Sequence, residues 1–306
     1  MAIAKQIWIA QLIETMYAES NFLDFAQNMD MYVEYNTINL AEAGVDPTVL
    51  VNYDFATPIP VAQRTDTAVT IALDTFDTEN TLVRNVEEKE SSYDKMESVL
   101  AGHRRSLRIQ SLRRAAHAYS HSGTATTLPL VLASGAARAV EGLTGNRLRL
   151  TLSDLSRMKT KLLLLEGDGE FVAVLHPYHL EDLKAEDSNF NKNYVDYQRG
   201  TVAARLEDFT ILTYPRTAVY TQSGADGAHA YVKKAIGAVA APTTDCYSSF
   251  CFMRNDVMKA DGTAEMFLRE KDPEQRGDIV GFQKRFIALP VRTKYLGVLI
   301  SGTTAS

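Results

Sequence analysis

The sequence is poor in cysteine and has no long apolar run. Its 306 residues include two cysteines, Cys246 and Cys251, in the segment CYSSFC. Strand-like alternation places residues five apart on opposite faces, so we expect two reduced thiols. No apolar stretch reaches the roughly 20 residues needed to cross a bilayer. Gln6, Gln11 and Glu14 interrupt the apolar N-terminus, so we expect neither a membrane span nor a signal peptide, and folding in a cytoplasm.

The chain also lacks a strong excess of either charge. Charged residues make up 23% of it and the net charge is -6, values typical of neither a disordered acidic chain nor a strongly basic nucleic-acid binder. A hydrophobic content of 45% is enough, at this length, for one large or two moderate folded domains. Total charge therefore gives no indication of a partner.

Motifs for catalysis are missing as well. The sequence has no Gly-x-Ser-x-Gly elbow and no P-loop lysine motif. The Gly-Asp-Gly segment 167–169 precedes a predicted strand, whereas phosphate-binding glycine loops follow one, so it is interpreted as a turn. His176 and His179 are followed by Glu181 and Asp182, and we favour a capped, solvated helix start over a zinc site. No catalytic residue, cofactor or metal site is predicted.

The first third of the chain has helical and then extended patterns. Residues 5–28 have the spacing of a helix with a broad apolar face that includes Trp8 and Leu12. Three prolines in residues 44–60 indicate an extended arm. The runs TDTAVTIALDTF and NTLVRNVEEKE flank residues 77–79, which predicts a β-hairpin with a short polar connection and one apolar side.

A long helix is predicted over residues 92–119, and its apolar residues change face midway. The residues on one side are Met96, Val99, Leu100 and Leu107. Those on the nearly opposite side are Ile109, Leu112, Ala116 and Tyr119. One helix is therefore predicted to pack on two different surfaces.

The rest of the chain is predicted to mix short helices and strands. We expect a helix capped by Ser153, a buried strand at FVAVLHP, and a helix beginning at Pro177. Further strands are expected at TVAARLEDFTILTY and YVKKAIGAVAA. Two strand pairs complete the prediction: CYSSFCFM with AEMFLRE, and QRGDIVGFQKRFIAL with VRTKYLGVLIS.

This order of arm, hairpin, long helix, α/β body and final strands resembles the major capsid proteins of tailed bacteriophages, which have the Hong-Kong-97-type fold. The local matches are EEKESSYDKMESVLAGHRRSL, FVAVLHPYHLEDL, RGTVAARLEDFTILTY and the closing segment from EMFLREKDPEQRGD onward. The resemblance implies an α+β fold with five parts. They are an N-terminal arm leading into the peripheral domain (1–57), an extended loop (58–92), a peripheral domain (93–147) with its spine helix (93–119), an axial domain (148–275), and return strands of the peripheral domain (276–306).

The resemblance also implies a structural role and not catalysis. The subunit is expected to form pentamers and hexamers of an icosahedral shell around double-stranded DNA, assembled in the cytoplasm of a bacterial host, with a portal and scaffold or decoration proteins as further partners and no membrane. The expected subunit-interface residues are Trp8, Leu12, Arg64, Val69, Ile71, Arg84, Glu87, Glu88 and Lys89.

The basic residues of the long helix have two interpretations. Arg104, Arg105, Arg108, Arg113 and Arg114 are candidates for weak, non-specific contact with packaged DNA at the inner wall. The alternative, which we favour, is a solvated helix face paired with acidic neighbours.

Two functional alternatives and one negative expectation complete the prediction. The alternatives are the shell of a bacterial encapsulin-type nanocompartment with the same fold and, more remotely, a cytosolic enzyme with a pocket in the α/β body. Some members of the capsid family crosslink an extended-loop lysine to an asparagine near the C-terminus of a neighbour. Here no asparagine follows Asn255 and Lys89 lies at the hairpin base, so we expect a non-covalent shell.

Overall fold

The protein is described by a computed structural model. It describes residues 21–34, 36–42, 59, 67–84, 95–122, 129–140, 145–167, 169–185, 195–196, 201–202, 205–223, 230–241 and 244–304. Within these ranges the α-helices are α1 (Lys95–Tyr119), α2 (Leu152–Leu164) and α3 (Pro177–Ala185), and there are two 3-10 turns, Phe22–Phe25 and Asp30–Tyr32. None of the helices in the described part of the chain is long and apolar enough to cross a membrane.

Most of the regular structure is β-strand. The strands are β1 (Gln27–Asn28), β2 (Val33–Glu34), β3 (Thr37–Glu42), β4 (Thr67–Ala72), β5 (Asp74–Asp77), β6 (Thr81–Arg84), β7 (Leu130–Leu132), β8 (Ala137–Ala139), β9 (Asn146–Leu148), β10 (Phe171–Leu175), β11 (Val195–Asp196), β12 (Thr201–Val202), β13 (Arg205–Leu206), β14 (Phe209–Thr213), β15 (Val219–Ser223), β16 (Ala230–Lys233), β17 (Asp245–Met253), β18 (Val257–Asp272), β19 (Gly277–Pro290), β20 (Gly297–Ile300) and β21 (Thr303–Thr304). The prediction of an α+β fold is confirmed.

Two sheets organise these strands. The central sheet has the order β13-β14-β10-β17-β15-β16, with β20 paired to β17 and β7 to β20. The second, which we call the ribbon sheet, has the order β1-β18-β19-β5, with β6 also paired to β19. Smaller sheets are formed by β2-β3-β4, by β21-β9-β8 and by β11-β12.

Strand β10 lies at the middle of the central sheet, and all five of its residues are buried. Phe171, Ala173 and Leu175 pack with α2, and Val172 and Val174 pack in a second cluster on the other face. A strand covered on both faces needs a continuous apolar sequence, which explains the run FVAVL. Burial of each large side chain there contributes roughly 1.5–3 kcal/mol. The predicted buried strand and the helix beginning at Pro177 are confirmed.

Helix α1 connects the two sheets. Leu100 and Leu107 pack in a cluster with Val280 and Phe282 of the ribbon sheet. Ala115, Ala116 and Tyr119 instead pack against the central sheet, and the Tyr119 hydroxyl donates to the Met258 carbonyl at 2.9 Å. The prediction of two packing surfaces is therefore confirmed.

The two surfaces of α1 are not on opposite faces, however. His103 and Ser111 are also buried, and at about 100° per residue they join Leu100, Leu107 and Ala115 into one slowly turning stripe. Ile109, which was predicted to be on the second apolar face, is 43% exposed. The prediction was wrong there because it followed only apolar residues.

The predicted hairpin is wrong in its pairing. β4 pairs with β3, in register from Thr37↔Ala72 to Glu42↔Thr67, while β5 and β6 follow each other along the same edge of β19. The segment 77–79 does not reverse the chain, because the Thr78 amide donates to the Phe282 carbonyl (2.9 Å) and the Thr78 hydroxyl accepts from the Phe282 amide (2.9 Å). Alternation predicts a strand but does not specify its partner.

Both C-terminal strand pairs were also predicted wrongly. β17 pairs with β10, β15 and β20, and β18 pairs with β19. The β18–β19 hairpin extends from Val257↔Pro290 to Asp272↔Gly277, with register shifts after Asp261 and Arg269. The predicted boundary between residues 275 and 276 falls in the turn of this hairpin, and β20 joins the central sheet. The domain boundaries stay predictions.

Smaller expectations were corrected or confirmed locally. The cap of α2 is Thr151, not Ser153, because Asp154 at the third helical position returns a bond to the Thr151 amide. Residues 22–25 form a 3-10 turn with Asn21 as its cap, so the predicted N-terminal helix does not extend to residue 28. The segment predicted from YVKKAIGAVAA is a strand only to Lys233.

The cysteines are where the alternation predicted. Cys246 and Cys251 are both free and buried, and they pack in different apolar clusters. Burial raises the pKa of the Cys246 thiol to about 11 and that of Cys251 to about 12. Both are therefore protonated and poorly nucleophilic near neutral pH.

Candidate assembly surfaces and the basic helix

The β3–β4 ribbon is attached to the core of its own subunit at one end. Ile38 and Ile71 face each other in the ladder; Ile38 is fully buried and Ile71 half-buried, in a cluster with Met258 and Ile287. On the other side of the ribbon the exposed Thr70 hydroxyl donates to the Asn39 side chain at 2.9 Å. The ribbon is therefore amphipathic at its base, and its apolar side is covered there by β18 and β19.

The predicted interface residues fall into three groups. Ile71 is half-buried within its own subunit, and the backbone of Val69 pairs with that of Leu40 in the ladder. Arg84 is exposed at the end of β6, opposite Gly277 of β19. The remaining predicted interface residues, which lie outside the described residues, are Trp8, Leu12, Arg64, Glu87, Glu88 and Lys89.

The β18–β19 hairpin is a candidate surface that sequence reasoning missed. β18 has 16 residues, which at about 3.3 Å per residue span about 50 Å. Met266 is buried against α1, while Phe267, its neighbour on the opposite face, is 53% exposed. The alternation in AEMFLRE already predicts that one of these two side chains faces away from the core.

The basic residues of α1 do not form a single flat face. Nine positions at about 100° each place Arg113 on the opposite side of the helix from Arg104. Arg105 is exposed, and Arg104 and Arg108 are half-buried. The five predicted arginines therefore do not share one side of the helix, although part of the set can. Their contact with DNA stays a prediction.

Arg114 has an intramolecular partner. Its Nε donates to Oδ2 of Asp74 at 2.5 Å and its Nη2 to Oδ1 at 3.4 Å. Both side chains are about a third exposed, so solvent weakens the pair to about 0–1 kcal/mol. For this residue the structure supports pairing with an acidic neighbour, and the neighbour is on β5.

His179 is held in a buried polar network. Ser301 Oγ donates to the Leu148 carbonyl (2.8 Å), so its single hydrogen is used and it accepts from His179 Nε2 (2.7 Å). Ser249 Oγ accepts the His176 amide (2.9 Å) and donates to His179 Nδ1 (2.6 Å). His179 is thus neutral, and burial lowers its pKa well below the usual value.

The expectation of a solvated start for α3 is wrong. Asp182 is fully buried, and its carboxylate accepts from Arg147, from Arg138 and from the Leu150 amide. Glu181 pairs with Arg138 at the surface. No group of three or more histidine, cysteine, aspartate or glutamate side chains arranged for a metal occurs within the described residues.

Comparison with known proteins identifies solved structures that have a similar fold. No family model matches the sequence, and no curated protein matches it by sequence. A structure from Mycobacterium phage Che8 has a TM-score of 0.62 at 14% identity, over 92% of this chain and 91% of that one. The capsid of cyanophage P-SCSP1u has a TM-score of 0.61 at 14% identity, over 92% and 88%. The chain has the fold of a phage capsid subunit.

A third match extends the fold beyond phages. A virus-like particle from Pyrococcus furiosus has a TM-score of 0.53 at 9% identity, over 97% of this chain and 99% of that one. The phage structures give higher TM-scores than this particle. The predicted Hong-Kong-97-like fold class is confirmed, and at these identities the matches establish the fold alone.

Proposed function

We propose that this chain is the shell subunit of a tailed-phage capsid and that it assembles into pentamers and hexamers around double-stranded DNA. The observation that carries the proposal is the match of fold over 92% of the chain to phage capsid structures. The long β18–β19 hairpin and the β3–β4 ribbon agree with it, because extended ribbons with exposed side chains bury little inside one subunit. The role is structural, and we assign no catalytic residue.

The implied setting and partners follow from the same proposal. The protein would be located in the virion capsid and assemble in the bacterial cytoplasm, with a portal and scaffold or decoration proteins as partners. Cohesion between subunits would come from the arm and from the residues predicted above, including Arg84. DNA contact would be weak and salt-dependent, through part of the basic set on α1.

The test is electron microscopy of the protein expressed alone, followed by assay of nucleic acid in purified particles. Arg84→Glu is expected to reduce the yield of closed shells without unfolding the subunit. Arg105→Glu is the matched control, since it reverses the charge of another exposed arginine; it is expected to leave assembly intact and to lower nucleic-acid content. A wild-type chain that stays monomeric at high concentration, alone and with the other structural proteins of its genome, would refute the proposal.

The nanocompartment shell is the second candidate, because the Pyrococcus furiosus virus-like particle has a similar fold, although at a lower TM-score than the phage structures. Such a shell would enclose a protein cargo instead of a genome. Particles purified from the native source distinguish the two: packaged DNA supports the capsid, whereas a stoichiometric enclosed enzyme with no DNA supports the compartment.

A further inference from the structure

A cavity of about 210 Å³ lies where the second half of α1 meets two loops of the central sheet. One loop, residues 215–218, follows β14, and the other, residues 235–240, follows β16. His176 and Tyr247 complete the lining. None of the predicted subunit-contact residues lines it.

The cavity has a positive charge without an acidic counterpart. Arg113 of α1 and Arg216 of the first loop both line it, and none of its described lining residues is an aspartate or a glutamate. Among the described residues, neither guanidinium contacts a carboxylate. The histidine side chains there, His117 and His176, have pKa values lowered mainly by burial, so the charge near neutral pH comes from the two arginines.

Both arginines also lie near Tyr214, which is not one of the residues that line the cavity. Both lie close enough to Tyr214 to lower the pKa of its hydroxyl, against the larger effect of burial, which raises that pKa to about 12. Tyr214 is therefore neutral and does not compensate them. Arg113 is half-buried and Arg216 exposed, and both line the same small cavity without a carboxylate partner among the described residues. Two such guanidinium groups favour a bound oxyanion.

The loop 235–240 that lines the cavity is mostly exposed, but hydrogen bonds fix its first turn. The turn 235–238 is closed by a backbone hydrogen bond of 3.2 Å, and its Gly237 has φ +79°. A Cβ at Gly237 would lie 3.9 Å from Arg113 Nη1, so this turn approaches the guanidinium closely. His117 Nε2 donates to the Lys234 carbonyl at 2.8 Å, which attaches the start of the loop to α1.

Asp245, which follows this loop at the start of β17, is already paired. Asp245 Oδ2 accepts from Lys234 Nζ (2.7 Å) and from the Ala241 amide (2.6 Å), and its Oδ1 accepts from Thr221 (2.9 Å). These bonds hold the pKa of Asp245 below its usual range against the opposing effect of burial. Asp245 thus stabilises the loop and leaves the charges of Arg113 and Arg216 uncompensated.

We propose that this cavity binds a single phosphate-class oxyanion between Arg113 and Arg216. Its volume is below the roughly 300–1,000 Å³ of sites for cofactors and drug-sized ligands, which favours one tetrahedral anion with some of its water. Inorganic phosphate and one phosphate group of a nucleic-acid strand share this chemistry.

The test is equilibrium dialysis of the full-length protein, in whatever assembly state it adopts, against radiolabelled inorganic phosphate at constant ionic strength. We expect saturable binding of one phosphate per chain. Arg113→Gln and Arg216→Gln are each expected to weaken binding about tenfold or more, since each removes hydrogen bonds to a charged group. Arg205→Gln changes an exposed arginine that lies outside both the cavity and the predicted DNA-contact set. It is the matched control and is expected to bind as the wild type does.

A second arm uses a short single-stranded oligonucleotide in place of phosphate. Oligonucleotide binding that is weakened by Arg113→Gln and Arg216→Gln, but not by Arg205→Gln, in a protein that does not bind free phosphate would identify a strand as the source. The proposal is overturned if neither probe binds, or if the three substitutions weaken binding equally. Circular dichroism checks that each variant is folded. The rise of the melting temperature with phosphate concentration gives a second measure of binding.

Discussion

Mild acid is expected to destabilise this protein through its buried histidines. Burial lowers the pKa of His176 from 6.5 to about 4, with Arg147 adding to the effect, and burial also lowers the pKa of His121 to about 4. The unfolded chain binds more protons than the folded one between these values. Stability is therefore full above about pH 6.5 and falls as the pH drops toward 4.

The size of the effect follows from the shift. A histidine with pKa 6.5 unfolded and about 4 folded loses about 2 kcal/mol of stabilisation between pH 7.5 and pH 5. His176 and His121 together therefore lose about 4 kcal/mol. His179, whose pKa lies well below the usual value, adds to this loss. Total stabilities of folded proteins are only about 5–15 kcal/mol, so the change is measurable by urea unfolding.

His176→Asn isolates one of these groups. His176 precedes α3, and its Nδ1 accepts from the Tyr178 amide at 3.2 Å; asparagine is a favourable N-cap and keeps an acceptor there. Because every other titrating group is common to both proteins, the variant is expected to lose about 2 kcal/mol less than the wild type between pH 7.5 and pH 5. Equal losses in the two proteins, or a wild-type stability that does not change over this range, would refute the reasoning.

Two further predictions concern close contacts. Arg147→Met leaves the buried Asp182 carboxylate with only a partial set of partners, and we expect it to lower the free energy of unfolding in urea by about 3–5 kcal/mol. Arg205→Met removes an exposed pair with Glu170 and should lower it by about 0–1 kcal/mol. Equal losses for the two variants would contradict the argument. Gly277→Ala would place a Cβ 2.3 Å from the Val83 carbonyl oxygen, so we expect about 1–3 kcal/mol of destabilisation and faster amide exchange in β6, and unchanged exchange there would count against it.

Local patterns of the sequence were sufficient to predict individual helices and strands, but they did not predict which strands pair with each other over long distances in the chain. The buried strand FVAVL and the helix that starts at Pro177 were predicted correctly because apolar content and capping are local signals. The partners of β5 and β6 were not, since a strand that lies along β19 some 200 residues later has the same alternation as one in a hairpin. The resemblance to phage capsid proteins supplied the order of parts that local signals leave open.

The buried polar groups were the least predictable part. Nothing near Asp182 indicates that Arg147, 35 positions earlier, neutralises it. The cavity between Arg113 and Arg216 likewise joins a helix to a loop about 100 residues away, and the basic helix suggested only an exposed surface. Charged residues are usually solvated, so a sequence pattern alone favours that interpretation.

Ser111 is a polar residue in the buried stripe along α1. It is the one fully buried residue between Leu107 and Ala115, and its hydroxyl has no hydrogen-bond partner within the described residues. Ser111→Ala removes that desolvated group and is expected to stabilise the protein by about 1–2 kcal/mol, including about 0.5 kcal/mol from helix propensity. Ser106→Ala, at an exposed position of the same helix, gains only the propensity part. Equal gains for the two variants in urea unfolding would show that the Ser111 hydroxyl is satisfied in solution.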